Sequence, residues 1–283
     1  MQLPEPLDEN ALWAALTLLL VLLSWRVVSS ASGAQASLQV SFPVHMKQAD
    51  GPKDEHDHAP FEYERLPEAE MAARAIGFHE LLKSRRSIRF FSTDPVPLHI
   101  ISTCVAAGAT APSGAHCQPW QFLVVQTASI KQKIREAVEE QERINYEKRM
   151  KADWVDAVTP MVKKIHDNGV AKPYLTEAPF LVILMKESYK IGTGGERIEH
   201  YYPEQSVGIA AGMFLSAITA AGLVSLPSTP MGAESFIRQL LGREENEKVY
   251  LLLPVGYPAS DATVPYRDPK AAHRPLGEVM TVY

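Results

Sequence analysis

Hydrophobic and polar positions divide the chain into an apolar N-terminal segment, a polar stretch and a long mixed region. Residues 11–28 are almost all apolar, and Arg26 carries the only charge among them. The segment is close to the lower limit for a membrane-spanning helix, roughly 17–25 residues. Trp13 and Trp25 lie near its ends, where aromatic side chains favour the membrane–water interface. The pattern predicts a membrane anchor helix behind a short tail of residues 1–10.

A cleaved signal peptide is the alternative for this segment, because small residues follow it. A signal peptide begins with positive charges, however, whereas Glu5, Asp8 and Glu9 precede this apolar run. We therefore favour a single-pass anchor. The nearest cation, Arg26, follows the run and favours a cytoplasmic position for the rest of the chain.

Residues 29–65 are rich in small and charged residues, which is typical of a flexible tether. This stretch contains His45, His56 and His58 near aspartates. Nothing nearby would hold them in a metal-binding geometry, so we interpret them as solvated and predict no metal site. A compact domain is expected over residues 66–283.

Helical patterns recur within this domain. Acidic residues open and basic residues close the stretch that begins at Pro67, as a helix dipole favours. A second helix is predicted over residues 97–109, with Cys104 as a core residue. A third is predicted over residues 129–150, where apolar residues recur at helical spacing.

Continuous apolar runs predict the strands of a sheet. These runs cover residues 120–126, 178–186, 223–226 and 249–258. Because helical and strand patterns alternate, we predict an α+β domain in which helices flank a central sheet. The glycine-containing stretch 191–197 lacks the strand–turn–helix setting of a phosphate loop and is interpreted as a turn.

Residues 206–223 are apolar or small on every side. Such a helix needs burial all round, either in a core or in a large subunit interface. A second membrane span is the alternative, but small side chains dominate and Glu204 and Gln205 border the segment. We therefore favour a buried helix.

The amino-acid composition excludes few functions, but it argues against nucleic acid as a binding partner and against a disulfide framework. The chain has 283 residues, of which 46% are hydrophobic and 22% charged, and its formal net charge is −5. No basic stripe is present, so nucleic acid is not expected as a partner. Two cysteines, Cys104 and Cys117, are too few for a disulfide framework.

Four polar clusters lie beside the predicted elements. They are Arg85-Arg86-Ser87-Ile88-Arg89, the loop Ala111–His116, Pro227-Ser228-Thr229-Pro230, and Val255-Gly256-Tyr257-Pro258 with the later His273 and Arg274. In the first cluster, three guanidinium groups and a hydroxyl offer the donors that a phosphate monoester needs. Taken singly, the arginine cluster is more typical of a solvated surface, and the other clusters are unremarkable.

In order and spacing the clusters resemble the nitroreductase superfamily. Four sequence motifs are similar to the iodotyrosine deiodinase family within it. They are R-R-S-I-R-F, A-P-S-G-A-H, E-x-I-N-Y-x-K-R-M and A-T-V-P. The resemblance covers residues 66–283. It implies a nitroreductase-like fold with a mostly antiparallel sheet, in a homodimer that binds FMN at the subunit interface.

The resemblance also implies which residues contact the cofactor. For FMN they are Arg85, Arg86, Ser87, Ile88, Arg89, Ser113, Pro227, Ser228, Thr229 and Arg274. The family residue that matches Thr229 hydrogen-bonds flavin N5, which favours transfer of electrons one at a time and makes Thr229 the implied catalytic residue. Arg267 and His273 are alternatives to Arg274 at the phosphate.

A substrate clasp is implied as well. Glu142 would bind the ammonium group and Lys172 the carboxylate of an amino acid, with Tyr146 on the same helix face as Glu142. The backbone N–H of Ala115 would meet a phenolate. Residues 140–175 would form a lid that excludes water, and because this stretch is longer than in the family, the place of Lys172 stays open.

The implied function is FMN-dependent reductive dehalogenation of mono- and diiodotyrosine to tyrosine and iodide. Electrons would come ultimately from NADPH, and a partner reductase is expected because the chain lacks a dinucleotide fingerprint. One alternative is a general membrane-anchored nitro- or quinone reductase without the clasp. Another is a non-catalytic flavin-binding interaction protein, which would have no need to keep all the clusters.

Overall fold

The computed structural model describes residue 61 and residues 63–151, 170–266 and 273–283. The predicted tail and anchor, most of the tether, the middle of the predicted lid and Arg267 lie outside these ranges. The chain divides into two compact units, Met1–Glu68 and Ala69–Tyr283. In the first unit the rings of Phe61 and Tyr63 stack with centroids 6.2 Å apart.

The four helices predicted from the sequence are present, although the third differs near its end, and three further short helices of the described residues were not predicted. The α-helices are α1 (Glu68–Ser84), α2 (Leu98–Ala109), α3 (Ala128–Ile144), α4 (Tyr174–Glu177), α5 (Pro203–Ala220), α6 (Glu234–Leu240) and α7 (Leu276–Val279). The third predicted helix continues beyond α3 as a π-helical turn, Asn145–Arg149. There the N–H of Met150 donates to the carbonyl oxygen of Asn145, five residues earlier, at 2.9 Å.

The main sheet is antiparallel, as the resemblance implied. The strands are β1 (Trp120–Val125), β2 (Phe180–Glu187), β3 (Tyr189–Ile191), β4 (Arg197–Glu199), β5 (Val224–Ser225) and β6 (Glu247–Gly256). Four of them form one sheet in the order β1-β2-β6-β5. The α+β prediction is confirmed. The stretch interpreted as a turn is the turn between β3 and β4, as predicted. The two strands that it joins were not predicted, because three residues are too short to give a period-2 pattern.

Helices cover both faces of the sheet, which explains the unbroken apolar run in β2. Residues 180–185 are fully buried, although successive side chains of a strand point to opposite faces. The even-numbered members pack with α2 and α5, and the odd-numbered members pack with α3, α4 and α6. Each large apolar side chain buried in this way contributes about 1.5–3 kcal/mol.

Helices α2 and α5 approach closely because a glycine lies between them. A Cβ at Gly108 would be 3.0 Å from the Cβ of Phe214 and 3.2 Å from the carbonyl oxygen of Ala210. The ring of Phe214 also packs against Phe122 of β1, with centroids 5.4 Å apart. Cys104 of α2 is buried in the same core, as predicted.

Two helices leave apolar surface open in the single chain. The core buries one side of α5, but Ile209 on another side is 45% exposed. Helix α1 buries none of its residues, and Met71, Ile76 and Phe78 are each more than half exposed. The core thus supplies part of the burial expected for α5, and a subunit interface for the rest stays a prediction.

Among the helices in the described ranges, none is long and apolar enough to cross a membrane.

Candidate active site

The arginine cluster follows α1 and runs alongside the edge strand β5. The N–H of Ile88 donates to the carbonyl oxygen of Ser225 at 3.3 Å, and Ser87 forms a parallel bridge with Ser225. Ile88 is buried, whereas the guanidinium of Arg86 donates to the carbonyl oxygen of Pro265. These hydrogen bonds hold the backbone of the arginine cluster in place, so its charged side chains extend from a fixed position.

A cavity of about 230 Å³ opens beside this segment. Arg85, Arg86, Ile88 and Ser225 line it together with the C-terminal end of α5. The hydroxyl of Ser225 is buried, yet within the described part of the chain it has no hydrogen-bond partner. A buried orphan hydroxyl needs an explanation. Next to two guanidinium groups, the donor set suits an oxyanion such as a phosphate.

The loop that contains Ser113 and Ala115 is held in a strained conformation. Ala115, His116 and Gln118 all have positive φ angles, between 48° and 53°, which costs non-glycine residues about 1–3 kcal/mol each. The hydroxyl of Ser113 accepts a hydrogen bond from the N–H of Gln118 at 2.9 Å. Strain of this kind persists where the surroundings fix the backbone. Ala115 is exposed in this loop.

Gly114 lets this loop pack against Tyr201, which lies just before α5. A Cβ at Gly114 would lie only 2.6 Å from the carbonyl oxygen of Tyr201, so any other residue would force the loop away. The backbone position of Ala115 is therefore fixed on one side by Tyr201.

The Pro227–Pro230 segment is fixed by the main sheet through its second residue. Ser228 donates its N–H to Leu252 of β6 at 3.0 Å and accepts the N–H of Leu252 at 2.7 Å. The next residue, Thr229, is exposed. This arrangement holds the backbone rigidly while leaving the threonine side chain accessible.

Two of the predicted clasp residues, Glu142 and Lys172, lie in contact. The Nζ of Lys172 lies 2.8 Å from Oε1 of Glu142, and both side chains are largely buried. The backbone N–H of Lys172 also donates to Glu139 at 2.6 Å, and Glu139 in turn pairs with Arg135 at 2.7 Å. These bonds join the segment around Lys172 to α3, so the long stretch before it does not displace Lys172 from Glu142.

Tyr146, one turn beyond Glu142, lies in the same region. Burial and, to a smaller extent, the negative charge of Glu142 raise the pKa of its hydroxyl. The hydroxyl therefore stays protonated at neutral pH and can donate a hydrogen bond.

Tyr174, a residue that sequence reasoning missed, connects three of the predicted segments. Burial raises the pKa of its hydroxyl, while a side-chain hydrogen bond with Ser228 and the charge of Arg89 act in the opposite direction. Glu142 is close enough to raise the pKa further. One residue from each of the three segments, Arg89, Ser228 and Glu142, thus influences the pKa of one buried phenol. Its position two residues after Lys172 was the only signal in the sequence.

The structure does not bring Arg274 into contact with the arginine cluster. Arg274 is exposed, and its guanidinium donates to the side chain and the carbonyl oxygen of Glu278 at 3.3 and 2.9 Å. His273 is exposed beside it. The choice among Arg274, His273 and Arg267 therefore stays a prediction.

Comparison with known proteins gives consistent matches. Residues 82–257 match the family model described as the nitroreductase family. The chain is similar to iodotyrosine deiodinase 1 of Mus musculus, with 47% identity over 74% of this chain and 72% of that protein. For iodotyrosine deiodinase 1 of Homo sapiens the identity is 43%, over 79% of this chain and 74% of that protein.

A solved structure gives a similar match. The structure of oxidized iodotyrosine deiodinase bound to FMN and 3-iodo-L-tyrosine aligns with a TM-score of 0.57 and 30% sequence identity. The alignment covers 68% of this chain and 94% of that one.

Proposed function

The chain belongs to the nitroreductase family and, within it, to the iodotyrosine deiodinases, and on that premise we propose that it removes iodide reductively from mono- and diiodotyrosine with FMN as its cofactor. The observation that carries the proposal is the largely buried Glu142–Lys172 ion pair. A reductase of nitroaromatics or quinones has no use for a carboxylate and an ammonium group held side by side. An amino acid substrate has a use for both.

The arginine cluster fits the phosphate end of FMN. Arg85, Arg86 and Ser225 line the same cavity, and Ser87 lies on the adjacent backbone. Guanidinium groups bind phosphate oxygens in pairs, and a hydroxyl supplies the neutral donor. Ser225 is thus a phosphate-binding candidate in addition to the residues predicted from the sequence. Bound FMN supplies the two reducing electrons.

The accessible hydroxyl of Thr229 suits a hydrogen bond to flavin N5, because the sheet holds its backbone while the side chain remains free. A donor at N5 tunes the electronics of the flavin. Arg89, on the Tyr174 side of the cluster, would lie near the negatively charged edge of the reduced ring.

Substrate binding replaces one ion pair by two. The ammonium group of the halotyrosine binds Glu142, its carboxylate binds Lys172, and Tyr146 supplies a hydroxyl donor. The backbone N–H of Ala115 meets the phenolate oxygen at the other end of the substrate. In the reaction the carbon–iodine bond breaks, iodide leaves, and the ring carbon takes up a proton, so that two electrons and one proton are consumed for each iodide. The electrons come ultimately from NADPH through a partner reductase.

A homodimer is supported by the apolar surface that the single chain leaves open. Met71, Ile76 and Phe78 of α1 and Ile209 of α5 are exposed hydrophobic side chains of the kind that subunit interfaces bury. The apolar sequence of residues 11–28 supports a single-pass membrane anchor, with the flavin domain on the cytoplasmic side.

Anaerobic reduction of the purified, FMN-loaded protein tests the function. Dithionite first bleaches the flavin, and addition of diiodotyrosine should then restore the flavin colour with stoichiometric release of iodide. Reoxidation by nitroaromatics but not by diiodotyrosine would identify a general reductase instead. A protein that binds no FMN would contradict the proposal at its first step.

A further inference from the structure

The strained loop that carries Ala115 is held at both ends by residues outside it. At its C-terminal end, the carbonyl oxygen of Pro119 accepts a hydrogen bond from the backbone N–H of Glu187 at 2.9 Å. At its N-terminal end, Gly114 packs against Tyr201, since a Cβ there would lie 2.9 Å from the Cβ of Tyr201 as well as 2.6 Å from its carbonyl oxygen. The three loop residues with positive φ lie between these two attachments.

Glu187 is connected to the second attachment as well, through His200. The Nε2 atom of His200 lies 2.8 Å from Oε2 of Glu187, and His200 directly precedes Tyr201 in the chain. A carboxylate can only accept a hydrogen bond, so Nε2 carries the proton of this bond. One residue at the end of β2 therefore restrains both ends of the loop. It holds Pro119 through its backbone N–H, and it holds Tyr201 through its side chain and His200.

The bond between Glu187 and His200 is sheltered from water. The side chain of His200 is only 1% exposed, and that of Glu187 is 23% exposed. The Nδ1 atom of the ring is buried and, among the described residues, has no hydrogen-bond partner. Within that part of the chain, the orientation of the ring therefore depends on the bond to Glu187. Hydrogen bonds in such surroundings of low dielectric are stronger than in water.

Asn246 keeps the carboxylate of Glu187 in its orientation. Its Nδ2 donates to Oε1 of Glu187 at 3.2 Å and to the carbonyl oxygen of Tyr189 at 2.6 Å. Asn246 is itself buried, and its carbonyl oxygen accepts the N–H of Ser188 at 2.8 Å. Both carboxylate oxygens are thus bonded, and Oε2 is the one directed at His200.

We propose that Glu187 and His200 are positioning residues that hold the backbone N–H of Ala115 where the phenolate oxygen of the substrate binds. The inference rests on the proposed function, which assigns that N–H to the phenolate. An N–H group stabilises an anion best when it is already directed at the place the anion will occupy. A loop with three strained residues keeps such a direction only while its surroundings hold it. Glu187 and His200 act through the loop, so neither needs to contact the substrate.

A purely structural role for the same bond makes a different prediction. The bond closes the base of the β3–β4 hairpin, because Glu187 lies two residues before β3 and His200 directly follows β4. If closure of the hairpin were its only role, loss of the bond would weaken the protein as a whole and affect every ligand alike. A role in placing Ala115 predicts a loss confined to ligands that carry a phenolate.

The test compares two ligands of the FMN-loaded full chain that differ in one hydroxyl. Both 3-iodotyrosine and 3-iodophenylalanine carry the zwitterion and the iodine, but only the first can present a phenolate. One charge-assisted hydrogen bond should make 3-iodotyrosine bind at least about tenfold more tightly to the unmodified protein. In His200→Leu we expect this ratio to fall below about threefold, while the affinity for 3-iodophenylalanine stays within a factor of about two. Flavin fluorescence during titration measures both affinities.

Three further variants separate the positioning role from general damage. Glu187→Gln should keep the ratio, because a glutamine side chain can still hydrogen-bond Nε2 of His200, which donates or accepts according to its tautomer. Gly114→Ala displaces the loop directly and should lower the ratio as His200→Leu does. Glu199→Gln, an exposed change beside His200, should leave both affinities unchanged. If His200→Leu does not fold, Glu187→Ala takes its place, since it removes the same bond from the side of β2.

The possible failures are distinct. If His200→Leu keeps the full ratio, or if it weakens both ligands equally, the positioning role is wrong and the proposed function stands. An unchanged ratio in Gly114→Ala would also contradict the positioning role, because the loop would then not depend on its contact with Tyr201. Equal affinities of the unmodified protein for the two ligands would remove the phenolate contact at Ala115, and the positioning role with it. If the unmodified protein binds neither ligand and releases no iodide from diiodotyrosine, the proposed function itself fails.

Discussion

The two regions of the candidate site, the arginine cluster and the substrate clasp, differ in whether their charged side chains form ion pairs. Beside β5, Arg85, Arg86 and Arg89 form no ion pair with any carboxylate of the described residues. In the clasp, by contrast, the charged side chains form ion pairs. Lys172 pairs with Glu142, and the neighbouring Glu139 pairs with Arg135.

This difference corresponds to the ligands that we assign to the two regions. A phosphate monoester brings one to two negative charges and needs a site with excess positive charge. A zwitterion brings one charge of each sign, so a neutral pair that opens can bind it without leaving a buried charge unmatched. The cofactor region therefore depends on its ligand for neutralisation, whereas the clasp is neutral with or without substrate.

Removing the unpaired charges should have the largest effect. Replacing Arg85 and Arg86 together by glutamine removes several charge-assisted hydrogen bonds of about 1.5–3 kcal/mol each, so FMN affinity should fall about a thousandfold. Fluorescence of free FMN during titration measures this loss. Arg74→Gln, an exposed change on α1, is the matched control and should bind FMN normally. Full FMN affinity in the double variant would remove the cluster from the phosphate site.

Breaking the pair in the clasp should have the next largest effect. Glu142→Gln removes the charge that binds the substrate ammonium group, and we expect 3-iodotyrosine to bind about 10- to 100-fold more weakly. FMN affinity should not change, because Glu142 is not part of the arginine cluster. Glu140→Gln, an exposed change on the same helix, is the control. If Glu142→Gln binds 3-iodotyrosine normally, the general-reductase alternative gains.

Thr229 lies between the two regions, and its loss should affect the reaction rather than either binding step. We expect Thr229→Ala to lower turnover of diiodotyrosine about tenfold, the effect of one lost transition-state hydrogen bond. Affinities for FMN and 3-iodotyrosine should remain within a factor of about two. Reduction of a nitroaromatic by the same preparation serves as an internal control. Equal losses for both reactions would assign Thr229 a general structural role.

Tyr174, at the boundary of the two regions, should give the smallest effect, on alkaline stability. Burial raises the pKa of its hydroxyl above the value of 10.0 for a free tyrosine. The folded state therefore holds the proton more tightly than the unfolded state, so this contribution is intact below pH 10 and is lost as the pH rises above it. The slope is at most about 1.4 kcal/mol per pH unit. Urea unfolding at several alkaline pH values should show a shallower loss for Tyr174→Phe than for the exposed control Tyr257→Phe.

Features that depend on local pattern could be predicted from the sequence. The apolar run at residues 178–186 predicted the strand β2, and acidic and basic ends predicted α1. The four polar clusters, read in order, indicated the family. The strand and the helix can be recognised in the sequence because burial and the helix dipole each act on residues that are close together in the chain.

Features that depend on distant partners could not be predicted. Asn145 hydrogen-bonds Met231, and the pKa of Tyr174 responds to Arg89 and Ser228, all of which are far away in sequence. The hydroxyl of Ser225 is notable only because the arginine cluster runs beside it in the folded chain. The hairpin of β3 and β4 was missed because its strands are short and exposed.

The most direct test of the central claim compares the affinities of the FMN-loaded protein for 3-iodotyrosine and 2-iodophenol. Both molecules carry the same iodinated phenol, and only the first carries the zwitterion. Two charge-assisted contacts of about 1.5–3 kcal/mol each predict that 3-iodotyrosine binds at least about 100-fold more tightly. Equal affinities would contradict the account, because the Glu142–Lys172 pair would then have no part in substrate recognition.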